Sequence, residues 1–430
     1  MTAPPLNLDT SLALYEEARA RIPGASQTNS KRPSAFALGA YPIYARSARG
    51  SQVTDVDGNT YLDFVSALGP ISLGYCEPRV DAAIHAQLDR GIIYGLLSPL
   101  EVEAARLLAA LVPCAEQTRF FKGGGEATAA AARVARRYTG REVILNCGYR
   151  GWPDVWNAAR NDGGIPHGLG GSVDSFTFND LDSLERKLAA HAGKVAAVFL
   201  DIAITPPAED FLPSAREMAH AHGALFLMDE IVTGFRMAKG GAQEYFGVTP
   251  DMACFAKGMA NGMPLAAVVG RAEVMAAFTD ALISLTYGGE ALSLAAAVAT
   301  MQIYRDEPVI ETLWARGAAL RAGLEQAARA AEIPFATQGY DPMTGMAFRD
   351  LDPETDRQAW GFVLQEMAAR GVLLRRRGLN FITYRHSEAD IAQATAAARE
   401  VFAELGNILH TPDLPKRLRL TEVTESFRRY

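Results

Sequence analysis

The sequence predicts an α/β protein with a mostly parallel central sheet flanked by helices, and with a second, smaller α/β domain. The chain has 430 residues, enough for one large α/β unit or for about two or three domains. Hydrophobic residues make up 49% and charged residues 21%, the composition of an ordinary globular protein. Short β-rich runs alternate with helical runs between residues 118 and 269. This alternation is typical of βαβ units, whose helices cover both faces of a sheet.

The predicted elements follow in order along the chain. Residues 52–64 form two strand-like runs around Asp57-Gly58-Asn59 and predict a hairpin. Strands of the central sheet are predicted at residues 118–121, 143–145, 195–200, 224–228, 252–256 and 266–269. Helical runs between them include residues 126–138, 181–191 and 215–222. After about residue 310 the pattern changes to helix, short strand pieces and a long helix at residues 388–405, which predicts the second domain. The polar tail after His410 carries Arg417, Arg419, Arg428 and Arg429, and is expected to be a solvated extension or a subunit-contact arm.

Composition and charge exclude several classes of protein. With 42 basic and 49 acidic residues, the net charge of −7 argues against a dedicated nucleic-acid binder. The four cysteines form no CxxC pair, which argues against a disulfide framework or a zinc site and fits a reducing cytosol. No stretch of 18 apolar residues and no signal-peptide core is found. We therefore expect a cytoplasmic protein with no metal site, no nucleic-acid partner and no membrane association.

The residues after each predicted strand are the first candidates for a site, because ligands bind at the carboxyl ends of strands in an open parallel sheet. The run Lys122-Gly123-Gly124-Gly125-Glu126 separates a strand from an alanine-rich helix. Glycines let backbone amides approach an anion, and a helix N-terminus favours negative charge. The run has the form of a phosphate cradle, although it matches neither the dinucleotide fingerprint nor the P-loop. A tight turn before a helix is the alternative.

Three further groups stand at strand ends. Asp229 and Glu230 follow an apolar strand, and buried charges need partners; helix N-capping and metal binding are the alternative roles for Asp229. Lys257 also follows an apolar strand, and a desolvated lysine can form a Schiff base with a carbonyl; a snorkelling surface lysine is the alternative. Tyr149 could stack on a planar ligand or pack in the core.

Together these groups describe a site for pyridoxal 5′-phosphate (PLP). The lysine would bind the aldehyde of the cofactor, and the acid would hold the pyridine nitrogen protonated, so that the ring acts as an electron sink. The glycine run would bind the phosphate.

The motif Asp229-Glu230-Ile231-Val232-Thr233-Gly234-Phe235-Arg236, followed by Lys257, resembles the signature of class III aminotransferases, which are fold type I PLP enzymes. The resemblance covers residues 10–408 and is closest to glutamate-1-semialdehyde aminomutase-like aminotransferases. Further matching segments are Leu68-Gly69-Pro70, Glu126-Ala127-Thr128, Thr286-Tyr287-Gly288-Gly289 and His386-Ser387. The resemblance implies a large PLP-binding domain at residues 71–310. It also implies a small domain built from the termini, with residues 1–70 contributing to it and residues 311–430 forming its C-terminal part and polar tail.

The resemblance also implies a role for each matching residue. Lys257 would be the Schiff-base lysine and proton shuttle, and Asp229 would pair with the pyridine nitrogen. The expected cofactor contacts are stacking by Tyr149, phosphate binding by the amides of Gly124 and Gly125, and phosphate binding by Thr286 across the interface of a homodimer with shared active sites.

Four segments depart from the family pattern. The family has Asn-Ser-Gly-Thr-Glu, Tyr-His-Gly, Val-Glu-Pro and Gly-Asn-Pro where this chain has Lys122-Gly123-Gly124-Gly125-Glu126, Tyr149-Arg150-Gly151, Leu200-Asp201-Ile202 and Gly289-Glu290-Ala291. Two hydroxyl donors are lost from the phosphate loop, which leaves backbone amides and Lys122. The residues for the PLP chemistry are still present, whereas the identity of the substrate stays undecided. The arginines that could bind a substrate carboxylate are Arg32, Arg150, Arg377 and Arg385.

The expected activity is PLP-dependent transfer of an amino group between an amino donor and a carbonyl acceptor, through the Lys257 Schiff base and a pyridoxamine intermediate. One alternative is an intramolecular aminomutase of the glutamate-1-semialdehyde type, which needs no second substrate. Another is a catalytically idle PLP-binding homologue, against which the presence of both Lys257 and Asp229 argues.

Overall fold

The computed structural model describes residues 4–158 and 164–420. The strands are β1 Ala45–Arg49, β2 Gln52–Asp55, β3 Thr60–Asp63, β4 Gln117–Phe121, β5 Val143–Cys147, β6 Val173–Ser175, β7 Val195–Asp201, β8 Leu225–Asp229, β9 Met252–Phe255, β10 Ala266–Gly270, β11 Phe335–Tyr340, β12 Met343–Phe348, β13 Val372–Leu373 and β14 Leu379–Phe381. The helices are α1 Asp9–Arg21, α2 Pro78–Leu88, α3 Pro99–Leu111, α4 Gly124–Thr139, α5 Asp154–Asn157, α6 Leu181–Ala190, α7 Phe211–Ala221, α8 Ala242–Phe246, α9 Ala272–Met275, α10 Ala291–Asp306, α11 Val309–Ala330, α12 Pro353–Ala369 and α13 Glu388–Ile408. Within these ranges, no helix is long and apolar enough to cross a membrane.

The unit that spans Pro78–Ile310 contains a seven-stranded sheet. Its strand order is β4-β10-β9-β8-β7-β5-β6. β9, β8, β7, β5 and β6 pair in parallel, whereas β10 runs antiparallel to both of its neighbours. Every residue of β5, β8 and β10 is buried, as expected for strands covered on both faces. The predicted α/β class with a mostly parallel sheet is confirmed.

The other unit comprises the residues up to Glu77 and those from Glu311 onward. It contains a four-stranded sheet, β1-β2-β3-β13, and a three-stranded sheet, β11-β12-β14. The predicted hairpin is confirmed, because β2 and β3 pair antiparallel with Val53 opposite Tyr61. The Asp55 carboxylate closes its turn by accepting hydrogen bonds from the backbone N–H groups of Asp57 and Asn59 at 3.0 and 2.8 Å.

Three differences from the sequence prediction have local causes. The helix predicted from residue 126 begins at Gly124, so two glycines of the run form its first turn. The helix predicted from residue 215 begins at Phe211. Pro213 lies in its first turn, where a proline is tolerated because an N–H at that position would have no acceptor within the helix. The strand β6 was not predicted, since its three residues carry no apolar run.

The described part of the C-terminal tail corrects the prediction of a solvated extension. Arg419 Nη1 lies 2.8 Å from Glu366 Oε1, and Glu366 is 1% exposed. Arg417 pairs with Glu404 at 3.1 Å, and its carbonyl accepts a hydrogen bond from Gln365 at 2.9 Å. The tail is therefore tied to α12 and α13 as far as residue 420, while Arg428 and Arg429 lie outside the described residues.

Candidate active site

Asp229 is the last residue of β8, between β7 and β9 in the middle of the large sheet. Its Oδ1 accepts a hydrogen bond from the Ile231 N–H at 3.0 Å, and its Oδ2 lies 3.5 Å from Arg150 Nη1. Burial raises the pKa of Asp229 to about 7; Arg150 and Lys257 oppose the rise, and Asp201 adds to it. No helix begins directly after Asp229, so it does not have the N-capping role that was its simplest alternative.

Glu230, the neighbouring carboxylate, has a structural place. It is fully buried, and its two oxygens accept hydrogen bonds from Ala242 N–H and Gln243 N–H at 2.8 Å each, at the start of α8. The Thr233 hydroxyl donates a further hydrogen bond to it. The two adjacent acids therefore have different roles, because Glu230 caps α8 whereas Asp229 lies at the carboxyl end of β8.

Arg150 is 2% exposed and its guanidinium is bound from several sides. Nη2 donates to the carbonyls of Cys147 and Phe199 at 2.7 and 2.8 Å, and Nη1 donates to the carbonyl of Tyr149 at 2.9 Å. The guanidinium carbon also lies 4.4 Å from the centroid of the Phe199 ring. As a candidate for binding a substrate carboxylate, Arg150 is thus already bonded to the backbone and to Asp229.

The glycine run lies against the segments that carry Asp229 and Tyr149. A Cβ atom on Gly124 would come within 2.7 Å of Ile231 Cδ1, and one on Gly125 within 3.2 Å of Pro153 Cδ. A Cβ atom on Gly151 would lie 3.1 Å from Gly125 Cα. These short distances leave no room for side chains at the three glycines. They also show that the glycine run lies beside the segments that follow β8 and β5.

The amides at the start of α4 divide into two sets. Glu126 Oε2 accepts hydrogen bonds from the N–H groups of Lys122 and Gly123 at 3.0 and 2.9 Å. Gly124 and Gly125 occupy the first two helical positions, whose N–H groups have no acceptor inside the helix. Their amides are therefore the ones placed to bind an anion.

Lys257 follows β9 by two positions and opens a short 3-10 turn. Its φ of 43° is unusual for a residue with a side chain, and such backbone strain is concentrated at functional sites. It is close enough to Asp229 to lower the pKa of that carboxyl. Tyr149 is half-buried in the segment after β5. The structure thus brings Lys257, Asp229, Arg150 and the α4 N-terminus to the carboxyl ends of strands in one sheet, after β9, β8, β5 and β4 respectively.

Thr286 is exposed in the segment that precedes α10. That segment is anchored by Glu290, which caps α10 by accepting hydrogen bonds from Leu292 N–H and Ser293 N–H at 2.6 and 3.2 Å. Lys122 Nζ lies 2.9 Å from Glu290 Oε2. Sequence reasoning missed this ion pair, although both residues had been noted separately as departures from the family pattern.

Arg32 and Arg385 lie in the other unit. Arg385 binds the buried Glu77 carboxylate through Nη2 at 2.5 Å and Nε at 3.1 Å. The Arg32 guanidinium lies beside Gly24, where a Cβ atom would approach it to 3.1 Å. Arg377, named from the sequence as well, pairs with Asp356 at 3.2 Å. In the described ranges, no group of three or more His, Cys, Asp or Glu residues could hold a metal ion.

The sequence model of the class III aminotransferases matches residues 36–156 and 169–398. The chain belongs to this family. Class III aminotransferases are PLP enzymes, so PLP is the cofactor of this chain. The resemblance read from the signature motif is thereby confirmed, together with fold type I.

Relatives of this class III aminotransferase carry more than one activity. This chain is 34% identical over 413 residues to the 3-aminobutyryl-CoA aminotransferase of Cloacimonas acidaminovorans. The alignment covers 94% of this chain and 99% of that protein. The chain is 34% identical over 427 residues to the glutamate-1-semialdehyde 2,1-aminomutase of Syntrophobacter fumaroxidans, with 92% and 98% covered. Among solved structures, the PLP internal aldimine form of the Sphingopyxis sp. MTA144 FumI protein matches with a TM-score of 0.88 at 29% identity, covering 94% and 99% of the two chains.

The residues of this site fit PLP. Free amides at the α4 N-terminus suit a phosphate, and the approach of Ile231 to Gly124 keeps that position clear of a side chain. A buried carboxylate at the end of β8 suits a pyridine nitrogen, and an amine at the end of β9 suits an aldehyde.

Proposed function

We propose that this chain is an aminotransferase in which Lys257 binds the aldehyde of PLP and Asp229 binds its pyridine nitrogen. Bound PLP supplies an aldehyde that condenses with amines and a ring that accepts electrons. The observation that carries the proposal is the convergence of three groups at one edge of the large sheet: Asp229 at the end of β8, Lys257 after β9, and the α4 N-terminus after β4, which contacts Ile231.

Each residue has a distinct task in this proposal. The Lys257 amine would bind the cofactor aldehyde until a substrate amine takes its place there. The amine so released would take the proton from the substrate Cα as general base. Asp229 would hold the pyridine nitrogen, and Tyr149 would cover the ring. The N–H groups of Gly124 and Gly125 would bind the phosphate through the partial positive charge of the helix N-terminus.

An exchange between two substrates is the reaction we favour. An amino donor would leave its nitrogen on the enzyme, and a carbonyl acceptor would collect it. Support comes from the 34% identity to a 3-aminobutyryl-CoA aminotransferase. The competing function, an aminomutase of the glutamate-1-semialdehyde type, is favoured by an equal identity to the Syntrophobacter fumaroxidans enzyme.

A substrate panel separates these functions. The PLP-loaded chain is mixed with single amino donors, including α-amino acids and 3-aminobutyryl-CoA, and the conversion of the pyridoxal to the pyridoxamine absorbance is followed. We expect a donor alone to drive the conversion and a carbonyl acceptor to reverse it. Turnover of glutamate-1-semialdehyde without a second substrate would instead establish the aminomutase. A spectrum that no amine changes would mean an idle homologue, and Lys257→Ala provides the inactive reference.

We also infer a homodimer with shared active sites. Leu96 and Leu97 are 85% and 87% exposed, and Ile92 and Ile93 are 45% and 40% exposed. The Ile92 carbonyl accepts a hydrogen bond from Ala291 N–H at 2.8 Å, so this apolar segment lies beside the start of α10. Exposed apolar patches of this kind mark interfaces, and the resemblance implies that Thr286, which is exposed, reaches the phosphate site of the second copy.

Mixed dimers test the shared site. One chain carries Lys257→Ala and the other carries Thr286→Ala. If Thr286 serves the partner's phosphate, both lesions fall in one site, and the other site keeps wild-type PLP affinity and turnover. If Thr286 serves its own chain, every site carries a lesion and no wild-type site remains. A monomer that binds PLP fully would contradict the proposal.

A further inference from the structure

Arg150 carries a permanent charge into a fully buried position beside the active site. Its side chain is 0% exposed, and its Nη1 lies 3.5 Å from Asp229 Oδ2 and 3.9 Å from Asp201 Oδ2. A buried cation is costly unless it is paired and hydrogen-bonded. The two carboxylates therefore make this position possible, and Asp229 is the nearer of them.

The guanidinium is held in place independently of any ligand. The carbonyls of Cys147, Phe199 and Tyr149 accept its hydrogen bonds at 2.7 to 2.9 Å. The turn that delivers it needs Gly148, whose φ is 104° and whose Cβ, if present, would lie 2.5 Å from Asp201 Cβ. Arg150 is therefore a fixed charge, and it cannot swing out to follow a substrate.

The charges around Asp229 oppose one another. Burial and Asp201, the neighbour on β7, favour the protonated carboxyl, whereas Arg150 and Lys257 favour the ionised one, and Arg150 is the stronger of the two. Cys254, the neighbour on β9, contributes no charge at neutral pH, because burial raises the pKa of its thiol well above the ordinary value. The Ile231 N–H also favours the ionised carboxyl by donating a hydrogen bond to Oδ1 at 3.0 Å. Among the charged groups that favour the ionised state, Arg150 has the largest effect, and it lies 3.5 Å from Oδ2.

We propose that Arg150 is a positioning residue that holds Asp229 ionised, so that the proton shared by Asp229 and the pyridine nitrogen of bound PLP stays on the nitrogen. The proposal rests on the function proposed above. One proton can sit on the carboxylate or on the nitrogen, and a cation next to the carboxylate favours the second arrangement. An arginine stays charged at every working pH, whereas a histidine, which the resembling family has at this position, has an ordinary pKa near neutrality.

The test measures the protonation state of the ring nitrogen of PLP directly. The chain is loaded with PLP that is ¹⁵N-labelled in the ring, and the nitrogen chemical shift, which separates the protonated from the unprotonated form, is followed by NMR across pH. In the wild type we expect the protonated signal through neutral pH. In Arg150→Met the pKa of Asp229 should rise by about 1–3 units, the usual effect of one arginine on a neighbouring carboxyl. The shared proton should then move to the carboxyl, and the nitrogen signal at neutral pH should shift toward the unprotonated form. Asp229→Asn supplies the reference for a nitrogen without a carboxylate.

Two further variants keep the test decisive if Arg150→Met does not fold. Arg150→Lys retains the charge and should keep the protonated signal. Arg150→Gln removes the charge but keeps hydrogen-bond donors, and it should shift the nitrogen signal in the same direction as Arg150→Met. A wild-type titration curve in Arg150→Met, or in Arg150→Gln where Arg150→Met does not fold, would overturn the role of Arg150. If the wild-type chain binds no PLP at all, the function proposed above fails instead, so the two failures are distinguishable.

Discussion

Substitution Gly124→Ala tests whether the first turn of α4 forms the phosphate cradle by close packing. The new Cβ would lie 2.7 Å from Ile231 Cδ1 and 3.3 Å from both Ile231 Cγ1 and Cγ2, whereas carbon atoms pack best at about 3.5–4.0 Å. Gly124 has no positive φ, so steric overlap is the main cost. Overpacking of this kind costs about 1–3 kcal/mol, and because Cδ1 can rotate away we expect about 1–2 kcal/mol.

The displaced Ile231 donates its N–H to Asp229, so the change should reach PLP binding as well as stability. One to two kcal/mol corresponds to a roughly 5- to 30-fold fall in the ratio of folded to unfolded chain, measured by urea titration. The PLP dissociation constant, measured by equilibrium dialysis, should rise as well. Gly123→Ala is the matched control, because its Cβ would approach Glu126 Oε2 only to 3.8 Å. Ile231→Val removes Cδ1 and should restore part of the affinity lost in Gly124→Ala. Wild-type affinity in Gly124→Ala would refute the packing argument.

Three further outcomes follow from the structure. In the PLP-free chain the folded pKa of Asp229 is about 7 against an ordinary 3.8. The folded state therefore binds more protons between these values, and the free energy of unfolding should fall as pH rises through this window. Urea midpoints at about pH 5 and pH 8 should show a smaller fall in Asp229→Asn, and equal falls would contradict this. Arg370→Ala should lower the free energy of unfolding by about 1.5–3 kcal/mol, because Arg370 pairs with the buried Glu366 and with Glu400 and Glu404, while Arg419 still pairs with Glu366. Arg419→Ala should cost less, since Arg370 still pairs with all three acids, and an equal loss in denaturant titrations would count against this account of the tail. A double-mutant cycle of Lys122→Met and Glu290→Gln should give a coupling of about 0.5–3 kcal/mol, whereas the exposed Arg137–Asp280 pair should give at most about 1 kcal/mol.

The strands β5, β7, β8, β9 and β10 of the large sheet were predictable because each carries a continuous apolar run. β8, for example, buries all five of its residues and ends at Asp229. The pattern reports only what is buried, so it missed the three-residue β6. It also placed the start of α4 two residues late, since glycines give no helical signal although they occupy the first turn.

The site was predictable to the level of residue type at each strand end, and less so in its side-chain contacts. Asp229 and Lys257 were identified by the strands that they follow. The contact of Arg150 with Asp229 depends on the turn at Gly148, whose φ is 104°. The periodicity of apolar residues does not indicate such a turn. The pair of Lys122 with Glu290 joins residues that are distant in sequence, and only the folded chain brings them together. Arg385 was a candidate for a substrate carboxylate, but its charge already has a partner in Glu77.

The central claim, that Lys257 is the amine that binds PLP, can be tested by one measurement. The PLP-loaded chain is reduced with borohydride and digested, and the modified peptide is identified by mass spectrometry. We expect the mass of the reduced cofactor on Lys257 and its loss in Lys257→Ala. A label on Lys122 at the phosphate loop, or no label on Lys257 in a chain that has bound PLP, would contradict the account.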